Sequence, residues 1–263
     1  MSKPTVVFIH GLWMHSSSWN HWVDYFNQNG FEAVALPWPG DCATVAESRQ
    51  HPELIAGKGI KEIADSYANI IATYPNPPIV IGHSLGGLIA QELLGRGNLV
   101  SAVIAIDPAP IKGVWQLTLS SIKASLPIIS NPFNINKAVT ISYKDFRNSF
   151  ANTISEKEAK ELYEHYTIPT PAKPLFQIAT ARFKPNSETK ANTPNNTRGP
   201  LLIISGDEDK IVPPKLVTAT YNQYANSSSI TEIKSFTDRG HSLVIDRGWH
   251  EIAEYSANWL KHL

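Results

Sequence analysis

Six short apolar runs, rich in β-branched residues, recur along this chain and alternate with amphipathic stretches. Several runs are apolar at every position, which is typical of strands covered by helices on both faces. Consecutive strands of such a sheet are joined by right-handed helical crossovers. The pattern predicts an α/β fold with a doubly wound, mostly parallel sheet. The six runs are Val6–Ile9, Phe31–Leu36, Ile79–Ile81, Ala102–Ile106, Leu201–Ile204 and Ile230–Phe236.

Apolar side chains recur at helical spacing in the stretches between the runs, which predicts helices that flank the sheet. We expect Trp19, Trp22 and Trp249, which fall in this register, to belong to the core. The series are Trp19, Trp22, Val23 and Phe26; Ile60, Ile63, Ala64, Tyr67 and Ile71; and Trp249, Ile252, Ala253, Trp259 and Leu260.

Residues 111–198 break this alternation, because they contain many prolines and no run that resembles a strand. Within them, Ser155-Glu156-Lys157-Glu158 has the pattern of a capping box, and apolar residues at helical spacing follow. We interpret 111–198 as a helical cap, or lid, inserted into an α/β core made of residues 1–110 and 199–263.

Composition narrows the range of partners. Lysines and arginines number 23, as do aspartates and glutamates, so no net charge attracts nucleic acid or an anionic membrane. Cys42 is the only cysteine, which excludes an intrachain disulfide and makes a thiolate metal site implausible. Because no metal-ligand spacing, phosphate loop or dinucleotide fingerprint occurs, we predict no metal and no cofactor.

The first apolar run is too short for a signal peptide or a membrane span. We therefore expect a cytoplasmic protein, without membrane insertion, that acts on a small molecule. We expect either a monomer or a homodimer.

The segment Gly82-His83-Ser84-Leu85-Gly86 has the pattern G-x-S-x-G. As a bare pentapeptide this pattern also arises by chance in glycine-containing loops. Here an apolar run precedes it and a helix-like run follows it, as required for a nucleophile on a sharp strand-to-helix turn. Small neighbours permit that turn, and the helix N-terminus favours developing negative charge. The context predicts Ser84 as a nucleophile.

A serine nucleophile needs a base, and nine histidines compete for this role. His241 lies in a loop after the last apolar run and before the terminal helix. Functional groups of an open α/β sheet are presented by loops at the carboxyl ends of strands. We therefore predict His241 as the base, in preference to His83 in the tight turn and to His21, His165 and His262 in helix-like segments.

The histidine in turn needs an acid. One candidate segment, Gly206–Pro213, follows the run Leu201–Ile204; the other candidate, Asp107, follows Ala102–Ile106. The chain order serine, aspartate, histidine holds for both. Acidic residues at these positions also occur simply as turn residues, so the residues by themselves leave the choice open.

Four segments together resemble the α/β-hydrolase superfamily, over nearly the whole chain: His10-Gly11-Leu12-Trp13, Gly82–Gly87, Gly206–Pro213 and Gly240-His241-Ser242. The nearest resemblance is to the small esterase, lactonase and cofactor-free haloperoxidase-like branch. Relatives with the pattern G-x-x-D-x-x-x-P carry the triad acid at its fourth position, which implies Asp209 here. The resemblance also implies a sheet of about six strands, because the first two strands of the family have no counterpart before His10.

The same resemblance implies that the backbone amides of Leu12 and Leu85 form an oxyanion hole. If the turn is offset by one residue, Trp13 replaces Leu12. The alternative is that His10-Gly11 only allows a tight turn. Trp13, Trp38 and Trp115 are predicted to line a substrate pocket, although they could equally serve only to bury the loops.

These features favour a serine hydrolase that cleaves a carboxylic ester or lactone through an acyl-enzyme. Other reactions use the same triad, and the alternatives are a lyase, a carbon–carbon hydrolase or a perhydrolase. The fold also hosts small-molecule receptors without catalytic activity. Haloalkane dehalogenation is disfavoured, because that reaction uses an aspartate where this chain has Ser84.

Overall fold

A computed structural model of the protein describes residues 3–114, 126 and 128–263. These residues form a six-stranded parallel sheet in the order β2-β1-β3-β4-β7-β8 and a separate two-stranded antiparallel sheet, β5-β6. The predicted fold class is therefore confirmed. The strands are β1 (Thr5–Ile9), β2 (Glu32–Ala35), β3 (Ile79–His83), β4 (Ala102–Ile106), β5 (Ala138–Val139), β6 (Thr170–Pro171), β7 (Leu201–Gly206) and β8 (Thr231–Phe236).

The central strands match the predicted apolar runs closely. β4 has the predicted bounds, whereas β3 and β7 each extend two residues farther, to His83 and Gly206. The extensions are parallel ladder positions, since His83 pairs with Ile106 and Gly206 with Phe236. Every residue of β3, β4 and β7 is buried, whereas the edge strands β2 and β8 are mostly half-buried or exposed. Uniform apolarity thus marks strands covered on both faces.

Helices flank the large sheet. Helix Asn20–Gln28 packs against the terminal helix Trp249–Lys261, and helix Ile60–Ile71 packs against Leu85–Leu94. Trp19 and Trp22 are buried as predicted, while Trp249 is half-buried and stacks on His21. Other α-helices among the described residues include Val45–Gln50, Tyr143–Asp145, Glu156–Tyr166, Lys173–Thr180 and Pro214–Asn222. Across the described ranges, every helix is too short or too polar to cross a bilayer.

The described residues between β4 and β7 form several short helices, but they also contain β5 and β6, which the sequence does not predict. These strands have two residues each, which is too short to produce an alternating pattern. One of the four residues is Pro171, and proline is rare within strands. The division into a core and a cap at residues 111 and 198 remains a prediction.

The predicted capping box at Ser155 forms only in part. The Ser155 hydroxyl accepts a hydrogen bond from the Glu158 amide at 3.2 Å and so begins helix Glu156–Tyr166. The Glu158 carboxylate accepts instead from the amide of Arg247, at 2.7 Å. Glu158 therefore connects the inserted segment to the loop before the terminal helix.

Candidate active site

The direction of winding of the large sheet reverses between β1 and β3. From β1 the chain moves outward to β2, and then β3 pairs with the other side of β1. Ile9, at the carboxyl end of β1, pairs with Gly82 near the carboxyl end of β3. Ligands of open α/β sheets bind in the crevice outside such a switch point. The residues that follow Ile9 and His83 therefore lie where this fold presents functional groups.

Ser84 occupies the turn between β3 and helix Leu85–Leu94 with a strained backbone, φ 56° and ψ −120°. A positive φ is costly for a residue with a β-carbon, and neighbouring contacts must hold it in place. The Ser84 amide donates to the Ile106 carbonyl at 2.9 Å, and its own carbonyl accepts from Ala109 at 2.9 Å. Ser84 is thus anchored through both its amide and its carbonyl, to the end of β4 and to the loop that follows it.

The glycines around Ser84 are required by close backbone approach. A β-carbon at Gly82 would lie 2.1 Å from the Gly86 carbonyl oxygen, and one at Gly86 would lie 2.2 Å from that of Ile9. A β-carbon at Gly11 would lie 2.7 Å from the β-carbon of Ser84. The spacing of the motif therefore reflects the packing of the β1 loop directly on the turn that carries Ser84.

His241 and Asp209 form a buried hydrogen-bonded pair. Nδ1 of His241 lies 2.6 Å from Oδ2 of Asp209, and both side chains are almost completely excluded from solvent. Oδ1 of Asp209 accepts from the amides of Ile211 and Val212 at 2.7 and 2.9 Å. These amides hold Asp209 as an acceptor, so Nδ1 of His241 carries the proton and Nε2 is the basic nitrogen.

The His241 ring packs against the residue that precedes Ser84. The ring centroids of His241 and His83 are 4.5 Å apart, and Phe150 contacts His241 edge-on at 4.8 Å. Burial lowers the pKa of His83 well below its ordinary value, and the nearby His241 lowers it further. The Ser84 hydroxyl forms no hydrogen bond with another described residue, so the structure brings Ser84 and His241 to one region without joining them directly.

A salt-bridged aspartate holds the loop that carries His241. Asp246 accepts from the Arg239 guanidinium, from the Ser242 hydroxyl at 3.0 Å and from the Gly248 amide at 3.0 Å. The Arg239 guanidinium packs on Gly248, where a β-carbon would lie 1.6 Å from its Nη1. Burial raises the pKa of Asp246, against the opposing charge of Arg239. This arrangement belongs to no recognised motif, so the sequence does not predict it.

Asp107, the other candidate acid, lies beside Asp209. Its backbone has φ 40°, and its Oδ1 accepts from the Gly206 amide at 2.9 Å. Burial raises the pKa of Asp107 well above its ordinary value, and the negative charge of Asp209 raises it further. The two acids between which the sequence could not choose therefore lie in the same buried region, and Asp209 is the one that accepts the hydrogen bond of His241.

His83, Asp107 and His241 are the one group in the described ranges whose side chains could together reach a metal ion. They present one donor atom each, all within 4.8 Å of one another. Their closeness is accounted for by the hydrogen bonds of Asp107 to Gly206 and of His241 to Asp209. We therefore assign no metal to this group.

The predicted oxyanion amides lie on both sides of the Gly11–Ser84 contact. Leu85 is the first residue of its helix, so its amide has no acceptor within the helix. The amides of Leu12 and Trp13 donate to no described backbone carbonyl. Trp13 has φ 64°, and its carbonyl accepts from Ile168 at 2.9 Å. Both Leu12 and Trp13 thus keep an available amide, and the choice between them remains a prediction.

The side chain of His10 stabilises the start of this loop. Its Nε2 lies 2.9 Å from Oδ2 of Asp41, and its Nδ1 lies 3.0 Å from the Gly11 carbonyl. The His10 ring stacks on Trp38 at 4.6 Å, and the Trp38 amide donates to Asp41 at 3.1 Å. The sequence does not predict this buried pair, because its members are 31 residues apart and Asp41 falls in no motif.

The predicted pocket tryptophans are placed differently from one another. Trp38 is buried under His10, and Trp13 is buried in the loop after β1. Trp115 lies outside the described residues.

The loop after β1 is bonded to the inserted segment. The His15 amide donates to the Tyr166 carbonyl at 3.0 Å, and the Ile168 amide donates to Trp13. Arg49 fastens the same segment, because its guanidinium donates to the Thr167 and Glu164 carbonyls at 2.9 and 2.8 Å. The end of helix Glu156–Tyr166 is thereby connected to the loop that contains Leu12.

Comparison with solved structures identifies the same architecture in proteins of low sequence identity. An extracellular α/β-hydrolase from a Paenibacillus species superposes with a TM-score of 0.72 at 19% identity, over 97% of this chain and 98% of that one. A monoacylglycerol lipase from Paleococcus ferrophilus superposes with a TM-score of 0.67 at 20% identity, over 99% and 96% of the two chains. These likenesses concern the fold.

Sequence comparison assigns the family. The phospholipase YtpA of Bacillus subtilis (strain 168) is 23% identical over 226 residues, which cover 84% of this chain and 82% of that protein. The model of the alpha/beta hydrolase family matches residues 6–255, which include the elements that carry Ser84, Asp209 and His241. The chain therefore belongs to the alpha/beta hydrolase family.

Proposed function

We propose that the protein hydrolyses a carboxylic ester or lactone through an acyl-enzyme, with Ser84, His241 and Asp209 as its triad. The observation that carries the proposal is the buried hydrogen bond between His241 and Asp209 next to the strained turn of Ser84. A hydrogen-bonded base and acid beside a serine in such a turn form the arrangement that acyl transfer requires.

In the first half of the reaction, Oγ of Ser84 attacks the carbonyl carbon while Nε2 of His241 takes the hydroxyl proton. The carboxylate of Asp209 stabilises the resulting imidazolium, and the amides of Leu12 and Leu85 bind the oxyanion. The tetrahedral intermediate then collapses, and the carbon–oxygen bond to the leaving group breaks. The alkoxide takes the proton from His241 and leaves as an alcohol.

In the second half, His241 takes a proton from a water molecule, whose oxygen attacks the acyl carbon on Ser84. A second tetrahedral intermediate collapses, Oγ of Ser84 recovers its proton from His241, and the carboxylic acid is released. With a lactone, the alcohol and the acid are two ends of one product.

The names of the similar proteins support ester substrates in general. They include a phospholipase, a monoacylglycerol lipase and a methylesterase from Arabidopsis, the last with a TM-score of 0.67 at 15% identity. All three names refer to ester substrates that differ in size and polarity, so they support the bond that is cleaved and leave the substrate to experiment.

Replacement of the nucleophile tests the proposal. We expect Ser84→Ala to abolish hydrolysis of p-nitrophenyl acetate and covalent labelling by a fluorophosphonate. Ser101→Ala, at an exposed serine before β4, is the matched control and should keep both. Full activity in Ser84→Ala would overturn the assignment.

Pre-steady-state kinetics distinguish the remaining hypotheses about function. The substrates are a panel of esters, lactones, amides and a hydroxynitrile. A burst of alcohol followed by slower turnover is expected for an acyl-enzyme. Preference for the hydroxynitrile would indicate a lyase, and tight binding without turnover would indicate a receptor. Several expectations stay predictions: the pocket role of Trp13, Trp38 and Trp115, the cytoplasmic location, the monomeric or dimeric state and the domain boundaries.

A further inference from the structure

Asp107 is a buried carboxyl group for which the proposed mechanism has no use. It is completely excluded from solvent at the end of β4, in a backbone conformation that favours glycine. Its Oδ1 accepts from the Gly206 amide at 2.9 Å. Its Oδ2 is buried, and no donor from a described residue reaches it. An ionised carboxylate oxygen without a donor is costly to bury, so the protonation state of Asp107 requires an explanation.

Three titratable groups face Asp107. They are the Asp209 carboxyl, whose charge acts on the pKa of Asp107, and the rings of His83 and His241, whose donor atoms lie within 4.8 Å. Nε2 of His83 is itself without a partner, so it does not donate to Asp107. Nδ1 of His241 is engaged by Asp209 at 2.6 Å. With a proton on Oδ2, Asp107 becomes a donor, and the carboxylate of Asp209 is the acceptor among these three groups.

The hydrogen bonds of Asp209 indicate where that proton resides. Two carboxyl groups can share a hydrogen bond only if one of them is protonated. Asp209 accepts from the amides of Ile211 and Val212 and from His241, so its oxygens already have three donors. Asp107 accepts from a single amide. The proton therefore belongs to Asp107.

We propose that Asp107 is a neutral carboxylic acid whose Oδ2–H donates to Asp209, and that it is a positioning residue for the acid of the triad. The direction of its titration agrees: burial raises the pKa of Asp107 well above its ordinary value, and the charge on Asp209 raises it further. The catalytic part of this inference rests on the proposed function, whereas the protonation state does not.

A neutral Asp107 keeps a single negative charge next to His241. When His241 accepts the proton of Ser84, the imidazolium and Asp209 then form a neutral pair. With two ionised carboxylates, the site would hold this proton more tightly and return it more slowly to the leaving group. The hydrogen bond from Asp107 also fixes the orientation of the Asp209 carboxylate, on which the ring orientation of His241 depends.

Two substitutions of similar size distinguish a neutral donor from a charge. In Asp107→Asn the carboxamide oxygen accepts from Gly206 and its NH2 group donates to Asp209, so kcat/KM should stay within about threefold of the wild type. In Asp107→Leu the donor is lost, and we expect kcat to fall by about 10- to 100-fold. The acidic limb of the pH profile of kcat/KM should move to higher pH in Asp107→Leu and stay in place in Asp107→Asn.

Infrared difference spectroscopy tests the protonation state without any measurement of activity. Wild type minus Asp107→Asn at pH 7 should show the carbonyl band of a protonated carboxylic acid, shifted in D2O, and the same band should appear in a Ser84→Ala background. This measurement also decides the question if Asp107→Leu fails to fold. Absence of the band, or an equal loss of kcat in Asp107→Asn and Asp107→Leu, would overturn the proposal. An active Ser84→Ala variant that retains the band would overturn the proposed function and leave the protonation of Asp107 standing.

Discussion

Gly11 packs against Ser84 so closely that a β-carbon at position 11 would lie 2.7 Å from the β-carbon of the serine. The two residues follow neighbouring strands at the point where the sheet reverses its direction of winding. This contact fixes the distance between the loop that contains Leu12 and the serine side chain. The position of the proposed oxyanion donors relative to the nucleophile therefore depends on the size of one residue.

Substitution of Gly11 by alanine should impair catalysis more than stability. The added methyl group must push Ser84 or the loop away, and a displacement of about 1 Å at a reacting group can cost about 100-fold in rate. Gly30→Ala is the matched control, because Gly30 has φ +95° and open space around it. It should cost about 1 kcal/mol of stability and leave kcat unchanged. Equal kcat values for the two variants, measured with p-nitrophenyl acetate, would contradict this prediction.

Asp209→Asn should lower kcat by about 10⁴-fold, because an amide in place of the carboxylate favours the wrong tautomer of His241 and cannot stabilise the imidazolium. Asp207→Asn is the control, since Asp207 lies two residues earlier in the same loop and its side chain is exposed. Steady-state kinetics of both variants, with circular dichroism to verify folding, provide the measurement. Loss of activity in Asp207→Asn, with Asp209→Asn active, would show that Asp209 is not the acid of the triad.

Arg49→Ala should loosen the junction between the inserted segment and the loop after β1. The guanidinium donates to backbone carbonyls at the end of helix Glu156–Tyr166, and its loss should cost about 1–2 kcal/mol. Faster amide hydrogen exchange at His15 and Ile168 and a lower kcat are expected. Arg182→Ala, at an exposed arginine elsewhere in the segment, should change neither. Unchanged exchange in Arg49→Ala would show that the backbone hydrogen bonds suffice.

Asp107→Asn should become more stable relative to the wild type as the pH rises. Folding raises the pKa of Asp107 above its ordinary value of 3.8, so the folded state binds this proton more tightly than the unfolded state. The resulting stabilisation is present below pH 3.8 and is lost as the pH rises toward the folded-state pKa. Asparagine has no such loss. Urea unfolding of both proteins between about pH 4 and pH 8 should show a widening difference, and a constant difference would refute the prediction.

The sequence predicts the central sheet well because burial on both faces leaves a continuous apolar run. β4 shows this most clearly, with every residue buried and its bounds as expected. The same logic fails for β5 and β6, whose pairing is fixed by the surrounding fold and leaves no period in two residues. Short antiparallel pairs of this kind are decided by tertiary contacts, and local sequence carries no record of them.

For the site, the motifs predict the strand ends but leave the choice between neighbours open. Ile106 pairs with Ile204, so the acids that follow β4 and β7 necessarily come together, and only side-chain geometry distinguishes Asp209 from Asp107. The pair His10–Asp41 joins residues that are distant in sequence. Contacts of this kind depend on the completed fold, which explains why periodicity and motif spacing did not reveal them.

The hydrogen bonds between residues 13–15 and 166–168 have a consequence for recombination among relatives. An exchange of the whole segment 111–198 would replace the partner of the loop that contains Leu12, and so would alter turnover together with substrate preference. A chimera that retains Tyr163–Ile168 from this chain, along with Arg49, keeps that partner. A chimera built to transfer specificity therefore needs two exchanged pieces. The first should end within helix Glu156–Tyr166, before Tyr163, and the second should begin after Ile168.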